Sequence, residues 1–129
     1  YEITHVLELW ERENVKAERI AGVEYLSLQM DDRSFVDIRS KFGQTNEFIS
    51  KCVQNNENVL VHCSAGVSRS ASIVTAYLIY NGYSFEDAVK QMKRLRTSYD
   101  PNTGFLRQLK EFAKYMEVQN RAATRNGSK

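Results

Sequence analysis

The sequence predicts an α/β fold in which a central, mostly parallel sheet is flanked by helices. Three observations predict it. Strand-like patterns fall in the first half of the chain and helical spacing dominates the second. A helical stripe lies between the second strand and a short apolar run, Val59-Leu60-Val61. That run has the character of a fully buried strand, and elements in this order build a small sandwich around one sheet.

The 129 residues suit one compact domain with a real core. A formal net charge of +2 is too small to argue for a nucleic-acid partner. There is no apolar run long enough for a membrane span and no secretory leader, so no membrane association is expected. Two cysteines, Cys52 and Cys63, make no disulfide framework and fit a reducing compartment, cytoplasmic or nuclear. No Cys/His cluster has metal-ligand spacing, and no metal or other cofactor is expected.

Taken in order, residues 2–7 alternate weakly and read as a first strand, with His5 satisfied inside the fold. Residues 8–19 are charged and read as a connection. Residues 22–28 alternate apolar and polar as a second strand, which stops at Gln29-Met30-Asp31-Asp32. From about residue 35 to 54, Ile38, Phe42, Thr45, Ile49 and Cys52 recur at steps of three and four, one helical face. Cys52 therefore points inward as a small hydrophobe.

After a turn at residues 55–58 comes the apolar strand, ended by His62 and Cys63. Ser64, Ala65, Gly66, Val67 and Ser68 form a loop with little side-chain bulk, and Arg69 closes it. From Ser70 the chain reads as helix until Asn81-Gly82. A small-residue loop entering a helix N-terminus offers backbone N–H groups to an anion. Ser84-Phe85-Glu86-Asp87 is a capping-box start, followed by a helix marked by Phe85, Ala88, Val89, Met92 and Leu95. Its basic end (Lys93, Arg94, Arg96) reads as a solvated terminus that suits the helix dipole. Pro101 is expected at the first position of a last helix, whose face is Phe105, Leu106, Leu109, Phe112, Ala113 and Met116. Residues 121–129 lack an apolar pattern, so the expected division is a domain over 1–119 and a disordered tail over 120–129.

Cysteine, five residues and arginine at a strand-to-helix turn resemble the active-site loop of the cysteine-dependent protein phosphatases. The fuller pattern HCxxGxxRS matches at His62, Cys63, Gly66, Arg69 and Ser70. With ITHVL near the start and Pro101-Asn102-Thr103-Gly104-Phe105 followed by Gln108-Leu109, the chain is similar to the dual-specificity phosphatase family over about residues 3–116. The family usually carries another strand pair and helix before ITHVL, so a trimmed or smaller domain is expected.

The resemblance implies a catalytic set. Cys63 is the nucleophile. Arg69 and the loop residues Ser64, Ala65, Gly66, Val67 and Ser68 hold the phosphate. Ser70 hydrogen-bonds the sulfur as it departs, His62 braces the loop, and Asn102 supports it. In the family a Tyr-Leu-x-aliphatic strand precedes the acid. Tyr25-Leu26-Ser27-Leu28 matches it and the spacing picks Asp32, with Asp31 as a fallback. Asp100, in Asp-Pro, resembles instead the acid of the low-molecular-weight tyrosine phosphatases, which carry the loop near the chain start.

Physical chemistry ranks these roles. Full ionisation of a thiol gains at most roughly thirtyfold in nucleophile at pH 7, small against the barrier to phosphate monoester cleavage. Most of the acceleration must come from in-line positioning and from charge stabilisation by groups such as the forked guanidinium of Arg69. Leaving-group protonation by a carboxylic acid supplies ~10²–10⁴-fold.

The loop contains no lysine, unlike phosphoinositide phosphatases of this class, and has Ser68 where glucan phosphatases have glycine. RNA triphosphatase relatives carry His and Asn in the loop, also absent here. The chain is too short for the deep pocket of tyrosine-specific relatives. The resemblance thus implies a shallow pocket for phosphotyrosine, phosphoserine and phosphothreonine in proteins, protein kinases among the candidates. The competing readings are a phosphopeptide-binding scaffold of the same fold, a phosphatase for a non-protein ester, and a redox protein pairing Cys52 with Cys63.

Overall fold

The structure is a computed structural model and describes residues 2–11, 19–63 and 68–127, with side chains to residue 123. Its elements are β1 (His5–Trp10), β2 (Glu24–Gln29), a 3₁₀ turn (Arg39–Lys41), α1 (Phe42–Gln54), β3 (Val59–Cys63), α2 (Ser68–Tyr80), α3 (Phe85–Leu95) and α4 (Thr103–Gly127). Among the described residues the sheet has the order β2-β1-β3, and both pairings are parallel. The α/β fold expected from the sequence is therefore present.

The apolar run is not the fully buried strand its composition suggested. β3 lies at the edge of the three strands, and its Leu60 is 46% exposed. The middle position belongs to β1, which runs to Trp10 rather than stopping at residue 7. Its Leu7 and Leu9 are 0% and 1% exposed. Burial of each contributes on the order of 1.5–3 kcal/mol. They pack with Phe42 and Ile49 of α1, Ile73 and Ile79 of α2, and Phe105, Leu109 and Phe112 of α4. Alternation along the strand sends Glu8, which the sequence reading assigned to a connection, to the opposite face.

Helix boundaries shift for identifiable reasons. The stretch before α1 is not helical from residue 35. Its backbone N–H groups at Ile38 and Arg39 donate to Gln108 Oε1 at 2.9 and 3.0 Å, and Ser40 N donates to Asp37 Oδ1 at 3.2 Å. α2 begins at Ser68, two residues early. The Ser84 cap of α3 forms as expected, with its hydroxyl accepting from Asp87 N at 3.0 Å.

α4 starts two residues later than Pro101, at Thr103. Asn102 is its N-cap, accepting from Phe105 N through Oδ1 at 2.8 Å. Pro101 precedes the cap. At its far end α4 continues to Gly127, so the described residues of the segment expected as a tail over 120–129 are helical. The segment Gln119-Asn120-Arg121-Ala122-Ala123 is rich in good helix formers and needs no apolar face to prolong a helix already nucleated.

Candidate active site

Because all three strands run the same way, their carboxyl ends meet at one edge of the sheet, where ligand sites of open α/β sheets lie. Cys63 ends β3 there, opposite Leu9. Its Sγ lies 3.5 Å from Ser70 Oγ in the first turn of α2, close enough for the hydroxyl to hydrogen-bond the sulfur. Arg69 stands beside it in sequence and is only 1% exposed. One of its guanidinium N–H groups, at Nη1, donates to Met30 O at 3.2 Å. A buried arginine is thus fixed to the segment that ends in Asp31-Asp32.

Asn102 draws the Asp32 side of the site together. Its Nδ2 donates to Asp32 Oδ1 at 2.8 Å, and its backbone N–H donates to Ser68 Oγ at 3.0 Å. With the cap bond to Phe105, one asparagine links Asp32, the start of α2 and the start of α4. Asp32 itself is exposed, so its carboxyl group is open on the solvent side. Asp31 differs: it is half-buried and turns Oδ1 inward without a hydrogen-bond partner.

Two further residues of α4 set this segment, and sequence reading noted them only as pattern. Gly104 packs so closely that a Cβ there would lie 1.9 Å from Ser34 O. Gln108, besides accepting from Ile38 and Arg39, donates through Nε2 to Val36 O at 2.8 Å. The stretch after Asp32 is therefore strapped to α4 at two successive turns.

The other predicted residues fall as follows. Ser64, Ala65, Gly66 and Val67 lie outside the described residues, and with them the contacts by which His62 would brace the loop. Ser68 belongs to the first turn of α2 and is 6% exposed. Asp100 is exposed, as are Lys93, Arg94 and Arg96.

Cys52 is fully buried, and burial, opposed by a hydrogen bond from Thr4, pushes its thiol above the ordinary 9.0. Thr4 and Glu57 mark the amino end of the sheet, whereas Cys63 marks the carboxyl end. Four strand residues separate the ends, roughly 13 Å. A disulfide needs Cα atoms within ~7 Å, so the redox pairing of the two thiols does not fit.

Sequence reading missed Glu8. It is 2% exposed, lies directly across from His62, and brings Oε1 to 3.9 Å from His62 Nε2. A lone carboxylate between Leu7 and Leu9 was the available signal. Among the described residues no group of three or more His, Cys, Asp or Glu could hold a metal ion.

Comparison with known proteins agrees with this fold. Residues 1–115 match the profile of the dual specificity phosphatase catalytic domain. The chain is 36% identical over 120 residues to human dual specificity protein phosphatase 22, covering 92% of this chain and 64% of that protein. It thus spans a little under two thirds of that curated relative. The crystal structure of DUSP15 superposes with a TM-score of 0.79 at 33% identity, covering 91% of this chain and 76% of that one. The crystal structure of PTPMT1 in complex with PI(5)P gives a TM-score of 0.80 at 28% identity, covering 92% and 81%.

Proposed function

The chain belongs to the dual specificity phosphatase family, and from that premise we propose that it hydrolyses phosphotyrosine and phosphoserine or phosphothreonine in proteins through a cysteinyl-phosphate. One observation carries the reading. The cysteine that ends β3 has a serine hydroxyl 3.5 Å from its sulfur and a buried arginine next in the helix, while Asn102 ties that helix to Asp32.

In the first step Cys63 Sγ attacks phosphorus and the P–O bond to the alcohol breaks. Asp32 gives its proton to the departing oxygen, which matters most for poor leaving groups. In the second step water attacks the phosphocysteine. Asp32 takes a proton from it, the P–S bond breaks, and Ser70 Oγ donates a hydrogen bond to the departing thiolate. Arg69 suits the equatorial oxygens because its planar fork binds two at once. Asn102 orients Asp32 while leaving the exposed side of the carboxyl group for the substrate. A thiol nucleophile also requires a reducing compartment, so cytoplasm or nucleus is the expected setting.

The test is hydrolysis of a small aryl phosphate in EDTA, with rapid-quench trapping of ³²P on the protein. Turnover is expected in the wild type, with label on Cys63 and neither activity nor label in Cys63→Ser. Arg69→Lys keeps the charge but loses the fork, and a loss of roughly 10²–10³-fold in kcat is expected. A wild type that binds phosphopeptides without turnover would instead be a scaffold. A second reading, a non-protein ester as substrate, is favoured by the likeness to PTPMT1, solved with PI(5)P. Parallel assays on phosphopeptides and phosphoinositide vesicles decide between the two substrates.

A further inference from the structure

Glu8 is a costly residue for its position. It lies mid-strand in β1, 2% exposed, with strands hydrogen-bonded on both sides. Taking a carboxylate out of water costs several kcal/mol unless it is paired, and an apolar residue would serve the strand at no such cost.

Its surroundings are built to hold it. The parallel register sets Ser27 of β2 and His62 of β3 directly across from it. Ser27 Oγ donates to Oε2. Arg19 Nη2 lies 3.4 Å from the same oxygen and 2.9 Å from Ser27 Oγ, with its guanidinium stacked 4.5 Å from the centre of the Tyr25 ring. The other oxygen, Oε1, faces His62 Nε2 at 3.9 Å. One oxygen thus anchors the carboxylate, and the second is turned toward the residue that precedes the nucleophile.

We propose that Glu8 is a positioning residue for Cys63, acting through the imidazole of His62. The 3.9 Å separation is an electrostatic contact rather than a direct hydrogen bond. Glu8 is buried while the His62 side chain is 40% exposed, so the contact is only partly screened and still orients the ring. Fixing the ring fixes the last residues of β3, from which Cys63 projects to the opposite face. Arg19 completes the device. It neutralises Glu8 from the far side, so that the carboxylate sets no net negative charge beneath a site that receives a phosphate dianion. Carboxylate–imidazole pairs orient metal ligands by the same logic. The inference rests on the phosphatase reading above.

A double-mutant cycle tests it, using Glu8→Gln, His62→Ala and the pair. Glu8→Gln keeps the shape and an acceptor for Ser27 and Arg19. Glu8→Leu replaces it should the amide variant unfold, and every rate is normalised to folded protein by circular dichroism. Two rates are read: kcat and KM on an aryl phosphate, and alkylation of Cys63 by iodoacetamide with Cys63→Ser as the blank. Glu8→Gln is expected to lower kcat roughly tenfold with KM within about twofold, since Glu8 does not touch substrate. The pair should be no worse than His62→Ala alone, in kcat and in alkylation, because Glu8 acts through His62. Losses that multiply, or a Glu8→Gln variant with wild-type rates, would overturn the proposal. If the wild type hydrolyses nothing, the phosphatase reading fails and the alkylation cycle alone decides on Glu8, by the same two patterns.

Discussion

Consider adding one methyl group to Gly104. An ideal Cβ at that position would stand 1.9 Å from Ser34 O, 2.6 Å from Ser34 C and 2.7 Å from Ser34 Cα. All three are backbone atoms, so no rotamer change relieves the clash. Ordinary contact begins near 3.4 Å, so the two backbones must separate by about 1.5 Å, the difference between 3.4 and 1.9 Å. Ser34 is two residues beyond Asp32, and Gly104 two residues beyond the Asn102 that holds Asp32. Whichever side yields, Asp32, the proposed acid, shifts relative to α2. Overpacking costs ~1–3 kcal/mol, offset in part by up to about 1 kcal/mol for alanine over glycine in a helix. Gly104→Ala should therefore stay folded with a modestly lower Tm. A displacement near 1 Å costs about 10²-fold in a positioned step, and here that step is leaving-group protonation. The assay compares phenyl phosphate with p-nitrophenyl phosphate, whose leaving group needs little help from an acid. The expected outcome is a loss near 10²-fold on the first and a much smaller loss on the second. Equal losses on both, or wild-type kcat on phenyl phosphate, would refute this reasoning.

Further outcomes follow from named contacts and burial. Asn102→Ala removes the cap and the tether together, so denaturant titration should show a loss of about 1 kcal/mol, with the same leaving-group bias as Gly104→Ala. Asn102→Asp keeps the cap acceptor but replaces the Nδ2–H donor with a like charge facing Asp32. Stability should survive there while phenyl phosphate activity falls. Tyr99 is buried with its hydroxyl 2.9 Å from Thr75 Oγ1, and burial pushes its phenol above the ordinary 10.0. The unfolded chain releases that proton first, so its contribution to stability is complete below pH 10 and declines as pH rises toward the folded value. Urea midpoints measured across that range should fall less steeply in Tyr99→Phe than in the wild type. Finally, iodoacetamide followed by peptide mass mapping should label Cys63 in the native protein and Cys52 only after denaturation, since the Cys52 thiol is both buried and raised.

What the sequence disclosed about this chain was local. The end of β3 at Cys63 and the helix that begins at Ser68 were readable because strand pattern and helical spacing follow one another closely, and the capping of α3 by Ser84 spans only four residues. The errors came where distant residues decide. β1 takes in Glu8 because Ser27 and His62 flank it in register, partners 19 and 54 residues away along the chain. The start of α1 is postponed because Gln108, about 70 residues downstream, claims the N–H groups of Ile38 and Arg39. Pro101 loses the first helical position because Asn102, engaged with Asp32 and Ser68, serves as the cap.

These distant contacts share an origin. Asn102, Gly104 and Gln108 lie within two turns at the start of α4, and each grips part of the stretch from Asp32 to Arg39. The segment that carries Asp32 has no regular structure before Arg39, and its own turn bonds are made at Arg33, Val36, Ser40 and Lys41. Its position is therefore borrowed from the helix. Ser68 joins the same asparagine to α2, and Arg69 grips Met30 from the other side. The two halves of the proposed site, Cys63 and Asp32, are thus aligned by the first turns of α2 and α4 rather than by the loop that carries Asp32. Substitutions at these helix starts should move activity far more than stability, and a substitution at an exposed loop position such as Phe35, 81% exposed, should move neither.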